Sequence, residues 1–380
     1  MRVVRIAWLP FRVPYVVPFS TAHGSEQERC GAIIRATTDD GRVGLGEAAP
    51  LPAFGGGTLD DTLAQIAKLA ARILGLDLDA ALGLLEQLDY TEVGMSAAAC
   101  GFDTALLDVK AQAAGLPLAQ LLLAGAASTV PVNATVGALD TVEACRAAGQ
   151  AAQAGILCVK LKVGVLGTPD VELARIAAVR ATLGADVRLR IDANAAWDAP
   201  EAIAIIRAAE RYQLELVEQP VAADDLAGMA LVRASVRTPI AADESVGGPE
   251  QAERVIAASA ADILVIKPMM AGGLRRARAI ITQAQHAGLA TFVTTTIDTG
   301  VGVAAALHLA ATLPMPLACG LATGPLLVGD LLIQPIVVRN GALYVPDQPG
   351  LGVHIDQRQV ALYGSGWQEV AADTEPFSAP

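Results

Sequence analysis

Lys160 and Lys162 alternate along the apolar run Cys158-Val159-Lys160-Leu161-Lys162. Alternation puts both ammonium groups on one face of a strand. Three acids follow later apolar runs: Asp192 after Leu189-Arg190-Ile191, Glu218 after Leu216-Val217 and Asp243 after Ile240-Ala241-Ala242. The acids are 26 and 25 residues apart, and Lys267 ends Ile263-Leu264-Val265-Ile266 after a further 24. Three converging carboxylates repel one another unless a divalent cation lies between them. Hard oxygen ligands point to Mg²⁺, with Mn²⁺ as the alternative. Such a site suits removal of the weakly acidic proton beside a substrate carboxylate, because a bound cation spreads the charge of the resulting enediolate. The base must be neutral. An ordinary lysine, with a pKa of about 10.4, is rarely so at pH 7, and a neighbouring cation lowers that value. Lys162 is therefore assigned as base, Lys160 as its electrostatic neighbour and a donor to the substrate carboxylate, and Lys267 as the group on the opposite face.

These residues need a scaffold that repeats at their interval. From residue 130 onward eight apolar runs recur, each followed by a helix-period segment: 130–136, 158–163, 187–191, 214–217, 239–242, 263–266, 290–293 and 317–319. Strand–helix alternation implies parallel strands. Eight units of about 25 residues predict an α/β fold with a (β/α)₈-type barrel, a modified TIM barrel, rather than an open doubly wound sheet. No G-x-G-x-x-G opens a helix. The acids and Lys267 then lie at the carboxyl ends of consecutive strands.

The first part reads differently. Val3–Trp8, Gly31–Thr37 and Val43–Ala48 read as strands, with a turn at Asp39-Asp40-Gly41. Leu59–Leu74, Ala80–Leu88 and Ala97–Ala114 carry apolar residues at helical spacing. This is an α+β unit. The tail has hairpin signals at Asn340-Gly341 and is expected to return to that unit. The predicted division is a capping domain over 1–128, a barrel with the active site over 129–332, and a returning tail over 333–380.

Composition excludes several classes. With 27 Lys and Arg against 39 Asp and Glu, the net charge is −12, which argues against a nucleic-acid partner or an anionic membrane surface. Hydrophobic residues make up 53% and charged residues 17%, so a large core is expected and disorder is not. The five cysteines are widely spaced with no C-x-x-C, which argues against a disulfide framework or zinc knuckle. Neither a signal peptide nor a membrane span is visible, so a cytoplasmic protein is expected. Gly55-Gly56-Gly57-Thr58 lacks the P-loop pattern and is expected to be a lid loop with Ser20–Gly24. Homo-oligomerization is left open.

The ordered set Lys160-Leu161-Lys162, Asp192-Ala193-Asn194, Glu218-Gln219-Pro220, Asp243-Glu244 and Lys267-Pro268 resembles the enolase superfamily, specifically its muconate-lactonizing subgroup. Gly44-Leu45-Gly46-Glu47-Ala48-Ala49-Pro50 is similar to that subgroup's capping segment. The resemblance implies a small-molecule carboxylate substrate and metal binding by Asp192, Glu218 and Asp243. Glu244 is the alternative third ligand, and Asn194 and Glu244 support the ligands. Thr135, Thr295, Thr296, Gly320 and His23 are expected to contact substrate, the alternatives being that the threonines after the seventh run cap the next helix and that His23 is a solvated loop residue. Dipeptide epimerases of the subgroup carry an Asp-x-Asp on the eighth strand to hold an ammonium group. Cys319-Gly320-Leu321-Ala322-Thr323-Gly324 offers none. That segment, Pro18–Gly24 and Thr294–Gly302 look like those of the o-succinylbenzoate synthases, lyases of menaquinone formation. N-acylamino-acid (N-succinylamino-acid) racemase, or another isomerase like muconate cycloisomerase, is the runner-up. A non-catalytic metal-binding barrel is the remaining alternative, and the intact Lys-x-Lys with three acids argues against it.

Overall fold

The structure, a computed structural model, describes residues 1–21, 24–137, 140–165, 168–314 and 317–371. Strand β1 (Val3–Thr21) runs antiparallel to β2 (Gly24–Thr38), which pairs with β3 (Val43–Ala48). Helices α1 (Leu59–Ile73), α2 (Leu78–Glu86) and α3 (Met95–Ala114) follow. A capping box starts α1: the Thr58 hydroxyl accepts from Asp61 N while the Asp61 side chain accepts from Thr58 N. Its buried face is Ile66, Leu69, Ala70 and Ile73, the helical spacing legible in the sequence. Gly44 and Gly46 let β3 lie directly on α3. A Cβ on Gly44 would sit 2.0 Å from Ala105 O, and one on Gly46 1.9 Å from Gly101 O. This contact carries Glu47, the next residue, toward the barrel.

The predicted first run, 130–136, divides in two. Strand β4 (Thr129–Pro131) leaves the barrel to pair elsewhere, and β5 (Ala134–Val136) enters it. After β5 come β6 (Cys158–Lys162), β7 (Arg188–Asp192), β8 (Leu214–Glu218), β9 (Ile240–Ala242), β10 (Ile263–Ile266) and β11 (Ala290–Val293). These seven strands form one parallel sheet in sequence order, with helices on the returns. The eighth run, 317–319, was expected to be a strand. Its described residues make only isolated bridges: Cys319 joins Val132, and Gly320 joins Thr294. Hydrogen bonds from Cys319 N to Pro131 O and from Gly320 N to Val293 O close the ring there. The fold is the predicted barrel-type α/β domain with an α+β cap, its last position narrower than a full ladder.

The tail also departs from expectation in part. Asn340 and Gly341 both have positive φ, 51° and 72°, as a tight hairpin turn requires. Strand β12 (Ala342–Tyr344), which follows, pairs antiparallel with β4 rather than with the N-terminal unit. Further on, Leu351 N donates to Asp108 of α3 at 2.9 Å, and β13 (Gln368–Ala371) adds an edge strand to β1. The cap is therefore built from both chain ends. Among the described residues no helix is long and apolar enough to cross a membrane.

Candidate active site

Lys162, Asp192 and Glu218 stand in one rung across β6, β7 and β8. Thr135, Lys160 and Arg190 form the rung two residues below. Parallel register and side-chain alternation give both rungs the same face. Lys160 Nζ lies 2.7 Å from Glu218 Oε1 and 2.9 Å from Asp192 Oδ2. Lys162 Nζ lies 2.7 Å from Asp192 Oδ2 and 2.7 Å from Asn194 Oδ1. Across the barrel, Lys267 Nζ lies 2.7 Å from Asp243 Oδ2. Lysines thus flank the acids on two sides.

The turns after the strands take left-handed backbone that serves this arrangement. Asn194 and Gln219 have φ of 46° and 37°, a region that side chains other than Gly, Asn and Asp rarely adopt. Asn194 N donates to Asp192 Oδ1 at 3.0 Å, while its side-chain amide donates to Glu244 Oε1 at 2.9 Å. Gln219 Oε1 accepts from Asp243 N at 2.9 Å, and its amide donates to Ser245 Oγ and Val221 O. Gln219 therefore fixes the backbone that presents Asp243. Its role has no signal in the spacing, because it faces sideways into the next turn.

Asp192 and Glu218 are fully buried. Burial raises the Asp192 pKa, but Lys160 and Lys162 lower it by more, and it falls well below the usual carboxylate range. Burial, then Asp192 and Asp243, push Glu218 up to about 8 against the pull of Lys160. Burial and Asp243 raise Glu244 to about 7. Burial lowers Lys160, yet Asp192, Glu218 and Asp243 together raise it above its ordinary value, so it stays an ammonium.

Among the buried oxygens without a hydrogen-bond partner are Glu218 Oε2, Asp243 Oδ1 and Glu244 Oε2. Buried oxygens of this kind are rarely left unpaired. Glu218 and Asp243, on adjacent strand tops, thus each offer an open oxygen of the kind a hard divalent cation takes, as does Glu244, the alternative third ligand, whereas both oxygens of Asp192 are engaged, by Asn194 N and by the two lysines. Among the described residues, no group of three acid, imidazole or thiol side chains is already drawn together as a metal cage. The lysine ammoniums draw Asp192, Glu218 and Asp243 instead.

The other predicted contacts divide. Thr135 shares the Lys160 rung and is half-buried. Thr295 Oγ1 is 3.0 Å from Thr323 Oγ1, and Thr296 Oγ1 donates to Asp298 Oδ1 at 2.5 Å. Both hydroxyls are thus engaged within the protein. Gly320 has a packing reason to be glycine, since a Cβ would lie 2.3 Å from Thr294 Oγ1. His23 lies outside the described residues. Sequence reasoning did not find Phe54, on the short 3₁₀ turn Pro52–Phe54, whose ring lies 3.8 Å from Lys267 Nζ. It also gave no contact for Glu47, whose carboxylate accepts from Thr299 N, Thr299 Oγ1 and Gly302 N at 2.8, 2.6 and 2.8 Å. Glu47 thereby caps the barrel helix Gly300–Ala310 from another domain.

The family described as "Mandelate racemase / muconate lactonizing enzyme, N-terminal domain" matches residues 5–123, and "Enolase C-terminal domain-like" matches residues 142–360. The chain belongs to the enolase superfamily. This superfamily enzyme is 35% identical to the L-Ala-D/L-Glu epimerase of Bacillus subtilis (strain 168) over 93% of its own length and 97% of the relative. It is 41% identical to the o-succinylbenzoate synthase of Thermobifida fusca (strain YX), over 65% of this chain and 79% of that one. A solved structure of a dipeptide epimerase from Enterococcus faecalis V583, complexed with Mg and the dipeptide L-Leu-L-Tyr, superposes with a TM-score of 0.87. It is 30% identical, with 93% of this chain and 99% of that one covered.

Proposed function

We propose that this enolase-superfamily enzyme is an o-succinylbenzoate synthase. Residues 1–128 with the tail 333–380 cap a barrel over 129–332, and the reaction takes place at the barrel mouth. The observation that carries the reading is the eighth segment. Cys319–Gly324 presents no carboxylate, and its one hydroxyl, on Thr323, is engaged with Thr295. A free substrate ammonium has no counter-charge there. That disfavours a dipeptide and favours a carboxylate without an amine, in line with the 41% identity to the T. fusca synthase.

In this reading Asp192, Glu218 and Asp243 hold Mg²⁺, with Glu244 and Asn194 steadying them. When bound, the ion acts as a Lewis acid toward the substrate carboxylate. Lys162 Nζ removes the proton beside that carboxylate. Lys160, fixed as an ammonium by Asp192 and Glu218, supplies the neighbouring positive charge. Lys162 then returns the proton to the leaving hydroxyl on the same face. A C–H and a C–O bond break, a C=C bond forms, and water leaves. Lys267 remains a cation across the ring plane. Phe54 covers Lys267 from the cap side.

A second reading, N-acylamino-acid racemase, is favoured by one further observation. Lys162 and Lys267 meet the acids from opposite sides, as proton exchange on both faces requires. An acylated nitrogen also needs no carboxylate on the eighth segment. The test is turnover with Mg²⁺ of the hydroxylated cyclohexadiene carboxylate against a panel of N-acylamino acids and Ala-Glu dipeptides. Dehydration is expected to dominate. Dipeptide epimerization without dehydration overturns the proposal.

A further inference from the structure

Arg29 is buried, at 2% exposure, on the cap strand β2. Its guanidinium reaches two chain segments more than 200 residues apart. On the cap side it donates to Ala49 O at 2.5 Å and to Pro50 O. Those carbonyls begin the stretch that leads to Phe54. On the barrel side Nη2 donates to Thr296 Oγ1 at 3.0 Å. Thr296 passes its own proton toward Asp298 Oδ1, 2.5 Å away, and Asp298 is 3.8 Å from the same guanidinium nitrogen. Thr296 and Asp298 follow β11, and Ile297 between them has φ of 62°. That backbone needs outside support. A planar fork of several donors suits this double attachment, whereas an ammonium is a single point of charge.

We propose that Arg29 is a positioning residue that sets the Phe54 segment of the cap and the Thr294–Asp298 turn of the barrel in one fixed relation. It touches neither Lys162 nor Lys267. It acts through Ala49 and Pro50, which place Phe54 against Lys267, and through Thr296, which holds the turn beside Thr295. Because the mouth is assembled from two domains, a shift between them misplaces substrate without disturbing the acids. The catalytic part of this inference rests on the function proposed above. The conformational part does not.

The experiment uses the full-length Mg²⁺-loaded enzyme with Arg29→Lys and Arg29→Gln, and amide hydrogen exchange as a readout independent of turnover. Arg29→Lys keeps the buried charge near Asp298, so it guards against simple failure to fold. Exchange is expected to rise in both 49–54 and 294–299 for Arg29→Gln, and less for Arg29→Lys. Mg²⁺ affinity by calorimetry is expected to stay within about twofold. A misplacement of about 1 Å costs on the order of 10²-fold in rate. Arg29→Gln is therefore expected to lose about 10- to 100-fold in kcat/KM, and Arg29→Lys to recover part of it. Exchange rising in only one segment, or kcat/KM unchanged in a folded Arg29→Gln, overturns the proposal. If the wild type turns over none of the assayed substrates, the function proposed above fails, while the two-segment exchange pattern still decides the role of Arg29.

Discussion

The Phe54 ring of the cap stands 3.8 Å from Lys267 Nζ of the barrel, on an ammonium that also pairs with Asp243 at 2.7 Å. A face-on aromatic ring attracts a cation by about 0.5–2 kcal/mol, more as water is excluded. Phe54→Leu keeps the apolar volume and removes the π-face. It is expected to lower kcat/KM by about 3- to 30-fold and to leave Mg²⁺ affinity unchanged. Steady-state kinetics beside calorimetry check this. Equal kcat/KM in variant and wild type would show that the contact has no functional weight.

The proposed metal site makes a ranked prediction. Asp192→Asn and Glu218→Gln are expected to weaken Mg²⁺ binding by more than about 100-fold, because even outer partners of a metal ligand contribute 10- to 100-fold. Circular dichroism should show both variants folded. Asp243→Asn and Glu244→Gln separate the two adjacent acids. The larger loss in calorimetry identifies the ligand, and the expectation is Asp243. Chelation by EDTA should abolish turnover, and added Mg²⁺ should restore it.

Two buried groups titrate in opposite senses over almost the same range. Burial and Asp298 push Glu47 from 4.5 up to about 7, against the donors of Thr299 and Gly302. The folded protein keeps this proton where the unfolded chain has released it, so stability is full below about 4.5 and is lost as pH rises through 7. Burial lowers His308 from 6.5 to about 4. Its Nδ1 accepts from Ala119 N at 3.0 Å, and Nε2 faces Leu351 O at 3.1 Å. There the unfolded chain holds the extra proton, so stability is full above about 6.5 and is lost as pH falls through 4. Each effect is about 3 kcal/mol at most. Relative to wild type, Glu47→Gln should make thermal stability climb more steeply with pH over this window. His308→Gln should make it fall. A parallel offset at every pH for both variants would refute the assignment.

The barrel period explains what was legible. A (β/α) unit repeats at about 25 residues, so polar residues at strand ends announce themselves by interval alone. Lys160, Lys162, Asp192 and Glu218 are brought together accordingly. The contacts between cap and barrel were not legible. Arg29 meets Thr296 across 267 residues of sequence, and Glu47 meets Thr299 across 252. No local period encodes such a meeting. Thr295 and Thr296 show how a strand-top hydroxyl also finds partners that no spacing announces. Hydroxyls at a strand top were expected to face substrate, and here they bond to Thr323 and Asp298. Buried donors need partners, and the nearest were within the protein.

The two lysine faces decide between the proposed reactions. Syn-dehydration needs one residue that accepts the proton and returns it on the same side, and Lys162 suffices. Racemization needs an acceptor on each face, so Lys267 must also lose and gain a proton. Lys162→Ala is expected to abolish both deuterium exchange and dehydration. Lys267→Arg keeps a cation opposite Asp243 but cannot serve as a base near pH 7. It should retain a measurable fraction of dehydration while losing any racemization of N-acylamino acids. Both variants should be assayed on both substrate classes in deuterium oxide, with incorporation followed by NMR. Arg is larger than Lys, so Lys267→Met serves as a control for lost positioning. If Lys267→Arg loses dehydration as completely as Lys162→Ala while its Mg²⁺ affinity is intact, both lysines move protons, and the one-face mechanism is wrong.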